Sequence, residues 1–254
     1  MRARAIFGAV ALLAIVFAMN ASAQETKLGI GAIDAVLTVP PQVARPPVAL
    51  LIAGSGPTDR DGNGPQIKPA TLKKLSDALV ARGIATLRYQ FPYMEQGSKR
   101  PDAPKLAHAT VRAAVVEASR LVPELALFAG GKSFGGRMTS QAQAASPLPG
   151  VCGLAFLGFP LHPPGQPSEE RGKHLLDVQI PMLFLQGTRD DFASMELVEA
   201  LCKQLGERAT LKQFQDADHS FHVPARTGRK DSEVRAELLD ALATGINVVI
   251  SGSG

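Results

Sequence analysis

Leu125-Ala126-Leu127-Phe128-Ala129-Gly130-Gly131-Lys132-Ser133-Phe134-Gly135-Gly136-Arg137 is the stretch around which the rest of the chain is arranged. The apolar run Leu125 to Ala129 reads as a buried strand. A glycine-rich turn follows, and a helix-compatible run starts at Arg137. Strand, sharp turn and helix with a serine at the apex is the setting of the Gly-x-Ser-x-Gly nucleophile elbow. The serine backbone is forced to positive φ so that its hydroxyl stands clear of the sheet, and Gly131 and Gly135 flank it where side chains would collide. The amide of Phe134 then faces the same space and can bind an oxyanion. Gly131-Lys132-Ser133 also imitates the end of a phosphate-binding loop, but Ala126 stands where that motif needs its first glycine.

The 254 residues fit one α/β domain. A chain of this size buries about 70–75% of its unfolded surface, so it needs no metal or disulfide to fold. Arg2 and Arg4, the apolar run Ile6 to Met19 and Ala21-Ser22-Ala23 before Gln24 have the layout of a secretory signal peptide. The expectation is therefore a signal peptide over residues 1–23, one domain over 24–250 and a flexible tail over 251–254, in a periplasmic or secreted protein with no stable membrane insertion after cleavage. Without Arg2 and Arg4, the 27 Lys and Arg fall to 25 against 23 Asp and Glu. The charges gather on no arm or face, which argues against nucleic acid as a partner. Cys152 and Cys202 have no metal-ligand spacing and read as buried free thiols.

Taken in order, Lys27 to Val39 reads as one or two edge strands, and Val48 to Ala53 as a strand buried on both faces. The polar loop Gly54 to Pro65 is too long for a tight turn, and loops of this size carry function. In elbow enzymes such a loop supplies the second oxyanion amide, here that of Ser55, with Gly54 and Gly56 letting the backbone approach the substrate. Asp59 and Asp61 lack the distal glutamate of a calcium loop, so no metal is expected. A helix over Pro69 to Arg82 and a strand from Ile84 lead into Phe91, Tyr93 and Met94, which either line a substrate pocket or cover the core edge. Leu106 to Val122 is a second helix, and further strands are expected over Val151 to Gly158, Pro181 to Gln186 and Leu211 to Phe214. Helices over Ser194 to Leu205 and from Asp231 complete an alternation that implies a mostly parallel sheet with helices on both faces. Ser133 then lies beyond the strands' carboxyl ends, where ligands bind in such sheets.

A serine hydroxyl needs a histidine base, and the histidine needs a carboxylate to fix its tautomer. The chain offers both after later strands. Asp190 and Asp191 compete for the acid, and the spacing from Gly187 favours Asp190. His219 and His222 compete for the base, and His219, sooner after its strand, is favoured. His222 is expected in a nearby loop, bonded to backbone, with His108 and His174 on the surface and His162 in a structural role.

Phe91-Pro92-Tyr93-Met94-Glu95, Gly130 to Arg137 and Asp218-His219-Ser220-Phe221 together resemble an α/β-hydrolase of the dienelactone-hydrolase-like group, most closely the testis-expressed hydrolase-like family. The loop Gly54 to Asn63 resembles one in bacterial esterase-like members of the superfamily. The resemblance covers most of the chain after residue 23 and implies an α/β-hydrolase fold, with Ser133 as nucleophile, Asp190 as acid and His219 as base. Dienelactone hydrolases proper use cysteine where this chain has serine, and some animal relatives act as complex subunits. Pro160 to Ile180, where many relatives insert a cap, leaves room for one short helix, so a minimal cap or none is expected. The activity implied is a cofactor-free serine hydrolase, most simply a carboxylesterase for a small-molecule ester. A binding protein on the same fold, or a peptidase or thioesterase with the same triad, is the alternative. Oligomeric state is not legible.

Overall fold

The structure, a computed structural model, describes residues 22–31, 33–41, 43–52 and 71–252. The signal-peptide segment up to residue 21, the loop with Gly54, Ser55, Gly56, Asp59 and Asp61, and residues 253–254 of the expected tail lie outside the described residues.

Eight strands form one sheet: β1 (Gln24–Ile30), β2 (Ile33–Val39), β3 (Val48–Ile52), β4 (Ala85–Tyr89), β5 (Leu127–Lys132), β6 (Val151–Leu157), β7 (Met182–Gly187) and β8 (Ala209–Phe214). Their spatial order is β1-β2-β4-β3-β5-β6-β7-β8. β1 and β2 form an antiparallel hairpin, and β2 joins β4 antiparallel with Leu37 opposite Leu87. Every pairing from β4 across to β8 is parallel. This is the expected mostly parallel sheet of an α/β-hydrolase fold.

Burial follows position in the sheet. β3 and β4 are buried at every residue, because helices cover both faces and a strand there needs apolar side chains on each side. β1 and β8, at the two edges, keep much of their length exposed or half-exposed. α1 (Thr71–Val80) and α6 (Asp231–Gly252) pack together on one face. The other face carries α3 (Pro104–Leu121), α4 (Phe134–Ala145) and α5 (Met195–Leu205), while a single turn, α2 (Pro92–Glu95), follows β4. α1 ends at Val80, two residues before the expected Arg82, and Gly83 at φ +81° closes the turn that follows. α6 begins with half of a capping box, the Glu233 carboxylate accepting from the Lys230 amide at 2.9 Å. It runs on through Ser251 and Gly252, two residues into the segment expected as a tail.

Between β6 and β7 the only regular element is a short 3-10 helix, Glu170–Asp177, lying against α4 and α5. No cap domain stands over the strand ends here. No helix among the described residues is long and apolar enough to cross a membrane.

Candidate active site

The elbow is tighter than its composition implies. β5 does not end at Ala129 but runs through both glycines to Lys132, and α4 starts at Phe134 rather than Arg137. Ser133 alone makes the turn, at φ 50° and ψ −118°. A serine held there is strained, and the packing around it enforces the strain. A Cβ on Gly130 would lie 1.9 Å from the Ala155 carbonyl oxygen of β6, and one on Gly131 2.2 Å from the Ile52 carbonyl oxygen of β3. These glycines are therefore close-approach positions within the sheet, not turn residues. Gly136 matters as well, since its Cβ would fall 2.8 Å from the Gly131 carbonyl oxygen.

The Phe134 amide sits at the amino end of α4, where backbone N–H groups have no partner within the helix. Its ring meets Phe91 edge-on at 5.3 Å and Tyr93 at 6.5 Å. Phe91, Tyr93 and Met94 are all buried. Phe91 and Tyr93 stack on each other and both meet the Phe134 ring beside the elbow.

The carboxylate comes from the loop after β7. Asp190 is buried while Asp191 is exposed. Asp190 Oδ1 accepts from the Phe192 amide at 2.8 Å. Its Oδ2 accepts from Gln186 Nε2 at 2.6 Å and from His219 Nδ1 at 2.7 Å. Gln186, fully buried on β7, also takes the Phe159 amide on its carbonyl oxygen at 2.9 Å, so its side chain is fixed at both ends. Gly187 lets the next loop close in, because a Cβ there would lie 2.3 Å from the Ala217 carbonyl oxygen.

His219 sits in a turn organised by its neighbour Asp218. Asp218 Oδ1 accepts from the Ser220 amide at 2.7 Å and the His222 amide at 2.9 Å, and the Asp218 amide donates back to the His222 carbonyl. The His219 ring packs against Phe192 with centroids 4.5 Å apart. Its Nε2 lies 2.9 Å from Ser133 Oγ. Since the carboxylate can only accept, the proton sits on Nδ1, leaving Nε2 free to accept from the serine hydroxyl. The structure thus brings Ser133, His219 and Asp190 into one hydrogen-bonded line.

The other histidines pair differently. His222 is exposed and faces Asp231 at 2.9 Å rather than backbone, and that carboxylate raises its pKa. His162 is buried, bonding the Pro163 carbonyl through Nδ1 and accepting from the Ser194 amide through Nε2, a structural role. His108 and His174 are half-buried rather than on the surface. His174 Nε2 stands 2.7 Å from Ser140 Oγ, a second Ser–His contact. Ser140 is fully buried and its hydroxyl is committed to the Arg137 carbonyl at 2.9 Å, so it has no route to a substrate. Burial, then the charge of Arg137, pushes the His174 pKa down to about 4. Cys152 and Cys202 are half-buried free thiols whose pKa values burial raises. No group of His, Cys, Asp and Glu among the described residues is arranged to hold a metal.

Residues 61–247 match the family described as alpha/beta hydrolase domain. The chain belongs to that family. Solved structures of similar shape include a serine hydrolase without a lid from Xanthomonas campestris, at 23% identity and a TM-score of 0.62 over 88% of this chain and 94% of that one. A dienelactone hydrolase from Anabaena variabilis is similar at 19% identity and a TM-score of 0.62, over 87% of this chain and 94% of that one. Est1E from Butyrivibrio proteoclasticus, solved with ferulic acid bound, is similar at 16% identity and a TM-score of 0.60, over 86% of this chain and 99% of that one. At these identities the likeness is one of fold. The finer placement with the testis-expressed hydrolase-like family is not what these matches establish.

Three residues of the site went unread in the sequence. Gln186, Asp218 and Lys132 each hold a member of the Ser133, His219 and Asp190 line, yet a glutamine at a strand end or an acid before a histidine carries no signal by itself. Lys132 and Asp218 stand inside the two motif blocks that point to Ser133 and His219, but those blocks do not show what their own side chains hold.

Proposed function

We propose that this hydrolase-fold chain is a serine hydrolase cleaving carboxylic esters with small or medium acyl groups. The observation that carries the reading is the line from Ser133 Oγ through His219 Nε2 and Nδ1 to Asp190 Oδ2, with contacts of 2.9 and 2.7 Å. Ser133 Oγ attacks the ester carbonyl as His219 Nε2 takes its proton, and Asp190 holds the imidazole and stabilises its charge. The carbonyl oxygen becomes an oxyanion, received by the Phe134 amide and, in this reading, by that of Ser55. One such donor is worth about 10²–10³ in kcat. His219 then protonates the leaving alcohol, and water activated by the same ring cleaves the acyl-enzyme. An ester is favoured over an amide because an alkoxide leaves the tetrahedral intermediate more readily than an amine, and the short 3-10 helix Glu170–Asp177 in place of a cap suits a compact substrate. The ferulic acid held by one structural neighbour is consistent with a small acyl group. We further propose export, with residues 1–23 as the signal peptide, on the n-region, apolar run and cleavage site that they carry.

A fluorophosphonate probe tests this. It should label the purified protein once, labelling should vanish in Ser133→Ala, and p-nitrophenyl esters of short and medium acyl chains should turn over while matched anilides do not. Failure to label, or equal labelling of the variant, rejects the reading. Normal folding without turnover would favour a binding protein on the same fold.

A further inference from the structure

Lys132 is the residue immediately before Ser133, and nothing in the proposed reaction uses it. Its Nζ donates to the main-chain carbonyl of His219 at 2.6 Å. The same ammonium lies 5.6 Å from the centroid of the Phe221 ring, two residues beyond the histidine. One side chain on the elbow therefore grips the turn that carries the imidazole at two points, the His219 carbonyl and the Phe221 ring. We propose that Lys132 is a positioning residue, whose ammonium clamps the histidine turn onto the serine elbow so that Nε2 stays on Ser133 Oγ. The inference rests on the reading of Ser133 as nucleophile.

Among the described residues, the other contacts of that turn run to elements other than β5, apart from the His219–Ser133 hydrogen bond itself. Asp218 closes the turn on itself but does not tie it to β5. The ring of His219 is held from the β7 loop by Asp190 and Phe192, and His222 is held from α6 by Asp231, so it is Lys132 that ties the backbone at His219 to the strand carrying the serine. Charged donors make hydrogen bonds about twice as strong as neutral ones, so the clamp is tightest while the amine is protonated. Burial drives the Lys132 pKa down to about 8, against the opposing pull of Asp190 and Asp218. From α6, Asp231 and Arg235 line the same recess, their charges opposite in sign, while Leu75 of α1, Leu157 and Leu238 supply apolar wall. The charge is thus present below pH about 8 and lost as pH rises through it.

The test measures fluorophosphonate labelling rates and p-nitrophenyl acetate kcat and KM from pH 6 to 10 for wild type, Lys132→Met and Lys132→Arg. In wild type, kcat should fall through a midpoint near pH 8. In Lys132→Met, kcat should be about tenfold lower at pH 7 with KM changed less than about twofold, and the alkaline fall should be gone. Lys132→Arg, which keeps its charge, should recover much of kcat and carry activity at least about one pH unit higher. A folded Lys132→Met with wild-type kcat and pH profile overturns the proposal. So does a kcat loss that only tracks lost folded protein, with the profile unmoved. If Lys132→Met does not fold, an unshifted alkaline limb in Lys132→Arg overturns it equally. A wild-type protein that never labels would instead sink the hydrolase reading itself.

Discussion

Asp190 shows how a buried charge is made tolerable. Its two oxygens take three donors, from Phe192, Gln186 and His219, and each donor is anchored elsewhere. Removing one leaves an under-satisfied carboxylate inside the protein, where the loss costs more than the net value of the bond. Gln186→Leu keeps the volume but deletes the donor at 2.6 Å and leaves the Phe159 amide without its acceptor. The expected outcome is a stability loss of about 1–3 kcal/mol by urea unfolding, together with a kcat reduced about tenfold, because the carboxylate no longer sits squarely on Nδ1. A variant with unchanged kcat would show that His219 and Phe192 alone orient the acid. None of this was legible beforehand. Ser133, Asp190 and His219 could be named because nucleophile, acid and base follow strands in a fixed order. Gln186 and Asp218 act through contacts that only the folded chain creates.

Among the elements, β5 and α4 depart furthest from what their composition implies. The glycine-rich composition predicts a strand that ends at Ala129 and a helix that begins at Arg137. The structure uses the same glycines to let β3, β5 and β6 approach one another, and the strand continues to Lys132. Period and propensity see one segment at a time, and close approach is a property of three. Gly131→Ala should therefore act as an overpacking change in the sheet centre. Its Cβ would meet the Ile52 carbonyl oxygen at 2.2 Å and Ile52 Cγ2 at 2.8 Å. Backbone must move to admit it, for a loss of about 1–3 kcal/mol and a lower melting temperature. Ser133, two residues on, moves with it, so kcat should fall further than folded fraction alone explains. A soluble variant with native stability and kcat would contradict this account of the elbow. The buried apolar strands and the amphipathic helices were far easier to read, because burial on one face or two writes itself into the residue pattern.

Across the whole molecule, stability between about pH 4 and 7 should depend on pH through two histidines shifted in opposite directions. His174 is held neutral, its pKa pushed down to about 4 against an ordinary 6.5. As pH falls from about 6.5 to about 4, the unfolded chain takes up a proton that the fold refuses, and stability declines; below that range the loss levels off. His222 does the reverse, since Asp231 raises its pKa and the pair stabilises until pH rises through that raised value. His222 is exposed, so the acid side should be governed by His174. His174→Gln should flatten the fall in stability between pH 6.5 and 4 by about 2 kcal/mol relative to wild type, measured by urea unfolding at each pH. Parallel curves for the two proteins would mean that the ring near Ser140 titrates freely.

The account stands on covalent chemistry at one oxygen. Rapid-quench mass spectrometry of the protein mixed with p-nitrophenyl acetate is the most direct check. It should find one acetyl group on the peptide containing Ser133 at a level approaching one per chain, formed in a burst that precedes steady turnover and is absent in His219→Ala. Steady ester hydrolysis with that peptide unmodified throughout the burst, or acetylation that proceeds as fast without the imidazole, would contradict it.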